Sequence, residues 1–517
     1  MSWARVVLGL VAVLAAGALV VSGGSEADPR TPKGLPGLPP PFLGTAVLGS
    51  GELTAAVDAY GDVVDLRAGP GGSPLIENPL DRQRAGTVAA QTGIVPWVRV
   101  GGGKPRPLWT ADSVRQHYVP GTNLLVTIAQ LGDARVRILY AAGDSALACL
   151  TQVRGNASVS LRSAEAAAAA KLRCDDPSAR RIIAAAARGE RRWLRRAQPL
   201  GAGAPPWAER MYERSLLVLR ALTDRGSGAA VAGARDGWAY VWPRDAATVA
   251  MAYEAAGYGA EAELVTRFLL GLGLEHAARF HGDGSPVPGR EAQGDATGWV
   301  AAAARASGLI GSTRHAARIL SPTYPLPWRG LADYQEGEPG DFLANALASG
   351  ESGWRILDRF GSERGLEREA GPAGGLDTAA AWAVRPFPRP ALADSVRRTL
   401  IRLGVGSGRY GLLPGDDWGG GRDPWTAPAA WSTWSLAALA REEAGHPQAA
   451  TDRALALHLL GDLRRAATPA GALPERVASR TGVATSTTPL AWTHAFAVLA
   501  LQQMWPGRTA SNSPSGR

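Results

Sequence analysis

The order of hydrophobic and polar positions changes character at about residue 200. From residue 43 to about residue 177, short apolar runs alternate with turns rich in Gly, Pro, Asp and Asn. Runs of this length and spacing predict an antiparallel β-sandwich domain over residues 43–177. Its predicted strands cover residues 53–57, 63–66, 97–100, 124–129 and 136–140.

Beyond residue 206 the apolar positions recur at helical spacing instead, between loops rich in Gly and Pro. The predicted helices cover residues 207–223, 245–256, 260–272, 295–307, 339–360, 391–403, 427–443, 448–467 and 489–504. So many successive helices with long loops favour a toroid of helical hairpins over residues 206–506, in which helix ends on one rim carry the site. A helical solenoid is the alternative, but the sequence shows no fixed period that supports it. An Arg- and Ala-rich stretch within residues 178–205 predicts a linker helix.

The N-terminus has the pattern of a targeting segment. One cation, Arg5, precedes an unbroken run of apolar and small residues over positions 6–21. Because the run is at the short limit for a transmembrane helix, residues 1–22 are interpreted as a signal peptide or a membrane anchor. Either would place the rest of the chain outside the cytoplasm, secreted or held on the outer face. Residues 23–42 are expected to form a Gly- and Pro-rich linker, and residues 507–517 a disordered tail.

Length and composition predict a soluble protein of more than one domain that does not bind nucleic acid. The chain has 517 residues, of which 46% are hydrophobic and 20% charged, and this length exceeds one ordinary core. Its net charge is +9, yet only Lys33, Lys104 and Lys171 among its 55 cations are lysines. The arginines are scattered among acidic residues, whereas a surface that follows phosphates needs a basic stripe.

The two cysteines, Cys149 and Cys174, are candidates for one disulfide if the protein is exported. Two independent buried thiols are the alternative. Two cysteines do not support a zinc site, and the seven histidines are dispersed without metal-ligand spacing. Phosphate-loop, zinc-helix and Ser-x-x-Lys motifs are absent from the sequence.

Four segments of the helical half combine carboxylates with aromatic residues. Residues 240–247 read YVWPRDAA, residues 331–337 read LADYQEG, residues 414–425 read PGDDWGGGRDPW, and residues 472–477 and 488–495 read ALPERV and TPLAWTHA. Singly, each has an ordinary explanation. Asp245 would be a helix cap with an exposed ion pair to Arg244, and Glu336 a solvated surface acid. His494 is interpreted as a buried structural histidine.

Together and in this order, the segments resemble glycoside hydrolase family 15, the glucoamylases, in the bacterial type that carries an N-terminal β-sandwich. The family patterns are W-P/T-R-D-A, D-x-W-E, P-E-D followed by G-N-P-W, and P-E-Q-V followed by T-P-L-A-W-x-H-A/S. The resemblance covers roughly residues 206–505. It implies that the toroid is an (α/α)6 catalytic domain acting on an α-linked oligosaccharide or polysaccharide without a cofactor.

The resemblance also implies the role of each residue. Glu475 would be the catalytic base and Glu336 the general acid. Inversion needs two such carboxyl groups about 6.5–9.5 Å apart, one ionised to activate water and one protonated for the leaving oxygen. The residues implied in sugar binding are Tyr240, Trp242, Arg244, Asp245, Tyr334, Gln335, Asp416, Trp418, Asp423, Trp425 and Trp492.

Four positions depart from the family patterns. Gln335 replaces a Trp beside the acid, and because an amide desolvates its neighbour less than an indole, the acid could be weaker or the pocket reshaped. Glu338 and Asp341 are alternatives to Glu336 as the acid. Gly415 and Asp423 replace Glu and Asn, which would alter substrate contacts. Arg476 replaces a Gln, and a cation beside the base favours its ionised form.

The sequence therefore predicts an exported inverting α-glycosidase acting on glucan ends. A catalytically weakened carbohydrate-binding protein on the same fold is the first alternative, although a binder has no need of a paired acid and base. Glycosidic transfer or phosphorolysis on a related helical toroid is the second. The linkage, the preferred chain length and the oligomeric state are left open.

Overall fold

A computed structural model of the protein describes residues 44–49, 51–77, 93–163, 165–235, 237–309, 330–335, 342–371, 374–416, 418–419 and 421–507. The predicted signal or anchor, the linker after it and nearly all of the predicted tail lie outside the described residues. So do Glu336 and its two alternatives, Glu338 and Asp341. Within the described residues, no helix is long and apolar enough to cross a membrane.

The β-rich half consists of two sheets that enclose one apolar core, so the predicted sandwich is confirmed. The first sheet contains β1 (Gly44–Gly49), β2 (Thr54–Asp58), β3 (Val63–Arg67), β5 (Ile94–Val100) and β11 (Ala157–Ser163), with β4 (Pro74–Ile76) on β3 and β6 (Arg106–Pro107) on β5. The second contains β7 (Ser113–Tyr118), β8 (Leu125–Leu131), β9 (Ala134–Ala142), β10 (Leu147–Arg154) and β12 (Leu172–Cys174). All pairs are antiparallel except β10 with β12.

The rest of the described chain is mainly helical. The α-helices are α1 (Ala166–Lys171), α2 (Pro177–Leu194), α3 (Pro206–Ala221), α4 (Pro243–Ala255), α5 (Gly259–Leu270), α6 (Ala296–Ala306), α7 (Leu343–Ala348), α8 (Glu351–Trp354), α9 (Ala393–Arg402), α10 (Thr426–Glu442), α11 (Pro447–Ala466) and α12 (Ala491–Met504). Short 3-10 helices lie at Leu108–Thr110, Leu357–Phe360, Thr378–Ala383 and Pro390–Leu392, and β13 (Gly361–Ser362) pairs with β14 (Gly365–Leu366). Proline opens α2, α3, α4 and α11, a position where its missing N–H leaves no hydrogen bond unmade.

Both outer faces of the sandwich are covered. On the second sheet, Val126 and Leu139 point away from the sandwich core and pack with Ile183 of α2. On the first sheet, Val47 and Val64 join the core of the helical domain. Strands covered on both faces read as continuous apolar runs rather than alternating ones, as β1 and β2 do.

Six of the described helices form a closed ring of contacts. In order these are α4, α6, α7, the 3-10 helix Thr378–Ala383, α10 and α12, and α12 packs back on α4. The ring members α4, α10 and α12 are buried on nearly every face, as expected for helices without a polar side. Outside the ring, α3 packs on α12, α5 on α4 and α11 on α10.

One predicted helix, over residues 339–360, is wrong as a single element. Its described part forms α7, α8 and the 3-10 helix Leu357–Phe360. Gly350 follows α7 with φ 65° and ψ −148°, a non-helical conformation that glycine adopts without a side-chain clash. The apolar spacing continues through the break, which is why periodicity alone did not detect it.

Cys149 and Cys174 lie opposite each other on the parallel strands β10 and β12. Their Cα atoms are 4.5 Å apart and the two residues form a disulfide. The bond fastens the chain just before α2 to the second sheet.

Two carboxyl groups are buried together at the turn between β2 and β3. Asp58 and Asp62 are almost fully buried, and Asp58 Oδ1 accepts hydrogen bonds from the backbone of Tyr60 and Asp62 at 2.8 and 2.9 Å. Burial raises the pKa of Asp58 to about 7. Burial, together with the charge of Asp58, raises the pKa of Asp62 well above its ordinary value. The fold therefore favours a protonated pair.

This pair makes stability depend on pH. A carboxyl group whose pKa is raised on folding contributes stability that is present below its ordinary pKa of 3.8 and is lost as the pH rises through about 7. Asn is neutral at every pH, so in Asp62→Asn folding no longer has to protonate or bury this carboxylate, and we expect the substitution to raise the free energy of unfolding by roughly 1–3 kcal/mol at pH 8 and by much less at pH 5. Thermal unfolding at both pH values measures this, with the exposed Asp133→Asn as control. A gain of equal size at both values would contradict it.

Candidate active site

The N-terminal ends of three ring helices meet at one end of the ring. The guanidinium of Arg244, in the first turn of α4, lies 4.5 Å from the ring centre of Trp492, in the first turn of α12. Thr426, which begins α10, shares a hydrogen bond of 2.8 Å with Thr493 of α12. Helix N-termini carry partial positive charge and unpaired N–H groups, so this end of the ring favours acidic or hydroxyl-bearing groups.

Glu475 lies in the loop before α12, beside these helix ends. Its backbone is held on both sides, because its N–H donates to Thr487 at 2.9 Å and its carbonyl accepts from Thr426 at 3.1 Å. Its side chain is nearly buried and accepts a hydrogen bond at each oxygen. Trp238 Nε1 donates to Oε1 at 3.1 Å and Ser486 donates to Oε2. These two donors fix the orientation of the carboxylate.

Arg476, next to this carboxylate, also contributes to its position. Its Nε lies 3.7 Å from Glu475 Oε2, and its guanidinium lies 5.5 Å from the ring centre of Trp425. The cation therefore connects the carboxylate to an aromatic side chain of the loop before α10.

Arg244 and Asp245 form a buried pair. The helix cap is Trp242 rather than Asp245, and Asp245 is only 5% exposed, so the interpretation as a capping residue with an exposed ion pair is wrong. Arg244 lies 3.4 Å from Asp245 and donates to Gln293 at 2.8 Å and to Asp295 at 3.3 Å. A planar guanidinium with several acceptors is fixed in one orientation.

The two carboxylates, Asp245 and Glu475, belong to one electrostatic environment. Burial raises the pKa of Asp245 to about 7. Arg244 opposes this rise, and the charges of Asp295 and Glu475 add to it. Asp245 Oδ2 is buried and accepts no hydrogen bond from the described residues. A buried acceptor without a donor is available to a ligand hydroxyl.

Aromatic side chains form the wall behind this pair. Trp492 contacts Trp431, with ring centres 4.9 Å apart, and lies 6.3 Å from Tyr334 and Trp382. Trp382 and Trp431 are fully buried and belong to the core, while Trp492 is 5% exposed. The indole N–H groups of Trp418, Trp425 and Trp492 have no hydrogen-bond partner among the described residues.

The segment that leads to Glu336 is held by its own contacts. Tyr334 donates to Asp377, and Gln335 Nε2 donates to Tyr334 at 2.9 Å. Asp333 is paired with Arg368 at 3.1 Å. Burial raises the pKa of Asp377 to about 7. Because Glu336 lies outside the described residues, its distance from Glu475 has no measured value.

The acidic residues of the loop before α10 are engaged within the protein. Asp416 is exposed, forms an ion pair with Arg364 and accepts from the Leu376 N–H at 2.6 Å. Asp423 accepts from the backbone of Ser479 at 3.2 Å. These contacts stabilise the loop.

The aromatic residues around this loop and before α4 differ in exposure. Trp418 and Trp425 pack edge to face, with ring centres 5.3 Å apart. Trp242 is nearly buried, whereas Tyr240 is half-buried. Arg279 lies over both, 5.7 Å from the ring centre of Trp242 and 4.9 Å from that of Tyr240.

His494 has the arrangement of a structural histidine. It is fully buried, its Nε2 accepts the backbone N–H of Leu473 at 2.9 Å, and its Nδ1 is 2.9 Å from Ser215 Oγ. Burial, with a smaller effect of Arg214, lowers the pKa of His494 to about 3, so the ring is neutral. It anchors the loop two residues before Glu475.

Sequence reasoning missed the two residues that hold the carboxylate of Glu475. Trp238 lies four positions before Trp242 in a Gly-containing loop, and no local pattern indicates that its indole reaches a residue 237 positions further along. Ser486 lies two residues before the final segment and is one of several hydroxyl residues there. Only the folded arrangement distinguishes them.

Trp238→Phe keeps an aromatic ring but removes the hydrogen bond to Glu475. Because a hydrogen bond to a charged group contributes about 1.5–3 kcal/mol, we expect kcat on an α-glucoside substrate to fall roughly tenfold, with KM little changed. Steady-state kinetics measure this. Trp193→Phe is the matched control, since Trp193 donates to Glu261 at 2.9 Å at the linker helix. Equal losses in both variants would contradict a specific role for Trp238.

In comparisons with known proteins, no family model matches the chain and no curated sequence matches it. A solved structure that does match is a bacterial glucoamylase complexed with acarbose, with a TM-score of 0.68 at 11% identity over 94% of this chain and 96% of that one. The chain shares the fold of that glucoamylase.

This shared fold includes both halves of the molecule, since the match spans sandwich and helices. Weaker matches include a wild-type glycosidase, with a TM-score of 0.48 at 19% identity over 58% of this chain and 99% of that one. Another is a glucoamylase from Saccharomycopsis fibuligera, with a TM-score of 0.46 at 14% identity over 58% of this chain and 94% of that one.

Among the described residues, no group of three or more His, Cys, Asp or Glu could hold a metal ion.

Proposed function

We propose that the protein is an inverting glycoside hydrolase that removes glucose units from the ends of α-glucans or α-gluco-oligosaccharides. The observation that carries the proposal is the arrangement of Glu475. It is a nearly buried carboxylate, held by Trp238 and Ser486, in the same electrostatic environment as the Arg244–Asp245 pair. A binding protein needs hydroxyl-gripping groups but not an oriented carboxylate of this kind.

In the proposed reaction Glu475 is the base. Inversion requires an ionised carboxylate that takes a proton from water as the water attacks the anomeric carbon. The hydrogen bonds from Trp238 and Ser486 hold the carboxylate in one orientation, and the guanidinium of Arg476 lies beside it.

Glu336 is the proposed general acid, which protonates the leaving oxygen. It directly follows Gln335, whose side chain is bound to Tyr334 beside the aromatic wall.

Arg244 and Asp245 are proposed to bind hydroxyl groups of the terminal glucose. Asp245 Oδ2, which is ion-paired with Arg244 but accepts no hydrogen bond from the described residues, would accept one from a sugar hydroxyl, and the Trp492 ring would pack against apolar sugar faces. Because Arg244, Asp245 and Trp492 are nearly buried and Trp492 packs on the aromatic core, a chain end fits there better than the middle of a chain.

The ring of six helices supports an (α/α)6 toroid as the form of the catalytic domain. The disulfide between Cys149 and Cys174 supports export, because such bonds persist mainly in oxidising compartments. We therefore propose that the protein works outside the cytoplasm.

Glucose release from maltose, isomaltose, trehalose and maltooligosaccharides tests the proposal. We expect the wild type to release glucose from at least one of these without added phosphate. Oligosaccharide affinity without any turnover would show a binding protein, and turnover only with phosphate would show a phosphorylase.

A further inference from the structure

An open groove of about 990 Å³ lies at the junction of the sandwich and the helical domain. One wall is the turn at residues 68–73, between β3 and β4. The other wall is the loop at residues 281–285 of the helical domain. Glu475, Arg244 and Asp245 do not line it, although Tyr240 does.

Each wall is fixed by its own hydrogen bonds. In the sandwich turn, the Ala68 N–H donates to the Ser73 carbonyl at 3.2 Å. In the loop of the helical domain, the backbone N–H of His281 donates to the Ser285 carbonyl at 2.8 Å. The walls also touch. Gly71 has a φ of 70°, and a Cβ atom there would lie 3.0 Å from the backbone nitrogen of Gly282. Only glycine fits this contact, so the groove has a defined shape before any ligand binds.

The lining combines rings, hydroxyls and carboxylates. Tyr240 and His281 pack edge to face, with ring centres 5.3 Å apart, and Arg279 lies over the Tyr240 ring. Ser73 and Asp283 are exposed beside them. Aromatic rings bind the apolar faces of sugars, and carboxylates and hydroxyls bind sugar hydroxyl groups. A pocket with this mixture suits a neutral polyhydroxylated ligand.

The groove is connected to the candidate active site by residues 238–240. Trp238 donates to Glu475, and the next two residues, Ala239 and Tyr240, line the groove. The loops that precede α4 and α6 both lie at the end of the ring that carries Arg244. A chain that leaves the site over this rim therefore meets the groove.

We infer that the groove binds the glucose units of an α-glucan that lie beyond the cleaved bond. The inference rests on the proposed function, since a terminal glucose held by Arg244 and Asp245 leaves the remaining chain to pass outward over the rim. The sandwich thus helps to select the substrate, and longer oligosaccharides are preferred to disaccharides.

Ser73→Trp fills the groove from its exposed sandwich wall. We expect kcat/KM for maltoheptaose to fall roughly tenfold, while kcat/KM for maltose stays within about twofold of the wild type. Asp283→Ala, on the opposite wall, should lower only the maltoheptaose value, by about threefold. Ser158→Trp, at an exposed position of β11 outside the groove, is the matched control. Retained maltose turnover shows that each variant is folded.

Equal changes for both substrates, or no change for either, would overturn the inference and leave the hydrolase function standing. If the wild type hydrolyses no substrate, calorimetric titration with maltoheptaose separates the two claims. Weaker binding by Ser73→Trp than by Ser158→Trp then supports the groove although the hydrolase function has failed. Equal binding by both, or no binding by the wild type, overturns the groove as well.

Discussion

Replacing Glu475 with glutamine is expected to lower kcat about a thousandfold, with KM changed by less than about threefold. A positioned general base contributes roughly 10²–10⁴-fold to rate, and glutamine keeps the shape of the side chain but cannot accept a proton. Trp238 can still donate to the amide oxygen, and the Ser486 hydroxyl can accept from the amide nitrogen, so the loop should keep its position. Steady-state kinetics on the best substrate of the wild type measure the effect.

The control for this variant is Glu363→Gln, which makes the same chemical change at an exposed position between β13 and β14. It should keep full activity. If Glu475→Gln retained more than about a tenth of the wild-type kcat, a base other than Glu475 would have to activate the water.

Replacing Asp245 with asparagine is expected to lower kcat/KM about a hundredfold. The change preserves size and burial but removes the charge that strengthens a hydrogen bond to a sugar hydroxyl. It also leaves the guanidinium of Arg244 with one charged neighbour fewer, although Gln293 and Asp295 still accept from it. The loss should appear with every substrate, because each places a terminal glucose at this pair.

Asp358→Asn is the matched control, since Asp358 is exposed in the 3-10 helix Leu357–Phe360. Circular dichroism of both variants separates lost binding from lost folding. A fall in kcat/KM of less than about fivefold in Asp245→Asn would contradict the role proposed for this pair.

Much of the fold could be predicted because its elements have strong local signals. The helix expected over residues 427–443 is observed as Thr426–Glu442, and that expected over residues 448–467 as Pro447–Ala466. In both helices, the apolar spacing and the proline or turn at the boundary predict the same limits. The helix break at Gly350 was missed because apolar residues continue on both sides of it.

The way the two halves pack together could not be predicted from local patterns. Val47 and Val64 belong to strands, yet they join the core of the helical domain rather than that of the sandwich. Alternation indicates which residues share a face of a sheet, but it does not indicate what covers that face. The groove between the turn at 68–73 and the loop at 281–285 follows from this packing.

The candidate site was predicted only in part for a similar reason. Glu475 and the Arg244–Asp245 pair lie in segments that resemble the patterns of glycoside hydrolase family 15, so the resemblance predicted them as site residues. Trp238 and Ser486 contact Glu475 through the fold, and a contact between distant positions leaves no trace in a single sequence. Glu336 and its distance to Glu475 remain a prediction.

The measurement that tests the central claim most directly is the anomeric form of the first glucose released, followed by proton NMR before mutarotation. If Glu475 directs water to the face of the sugar opposite the leaving group, the α-linked substrate yields β-glucose. α-Glucose as the first product would show retention and would contradict the two-carboxylate inverting reaction.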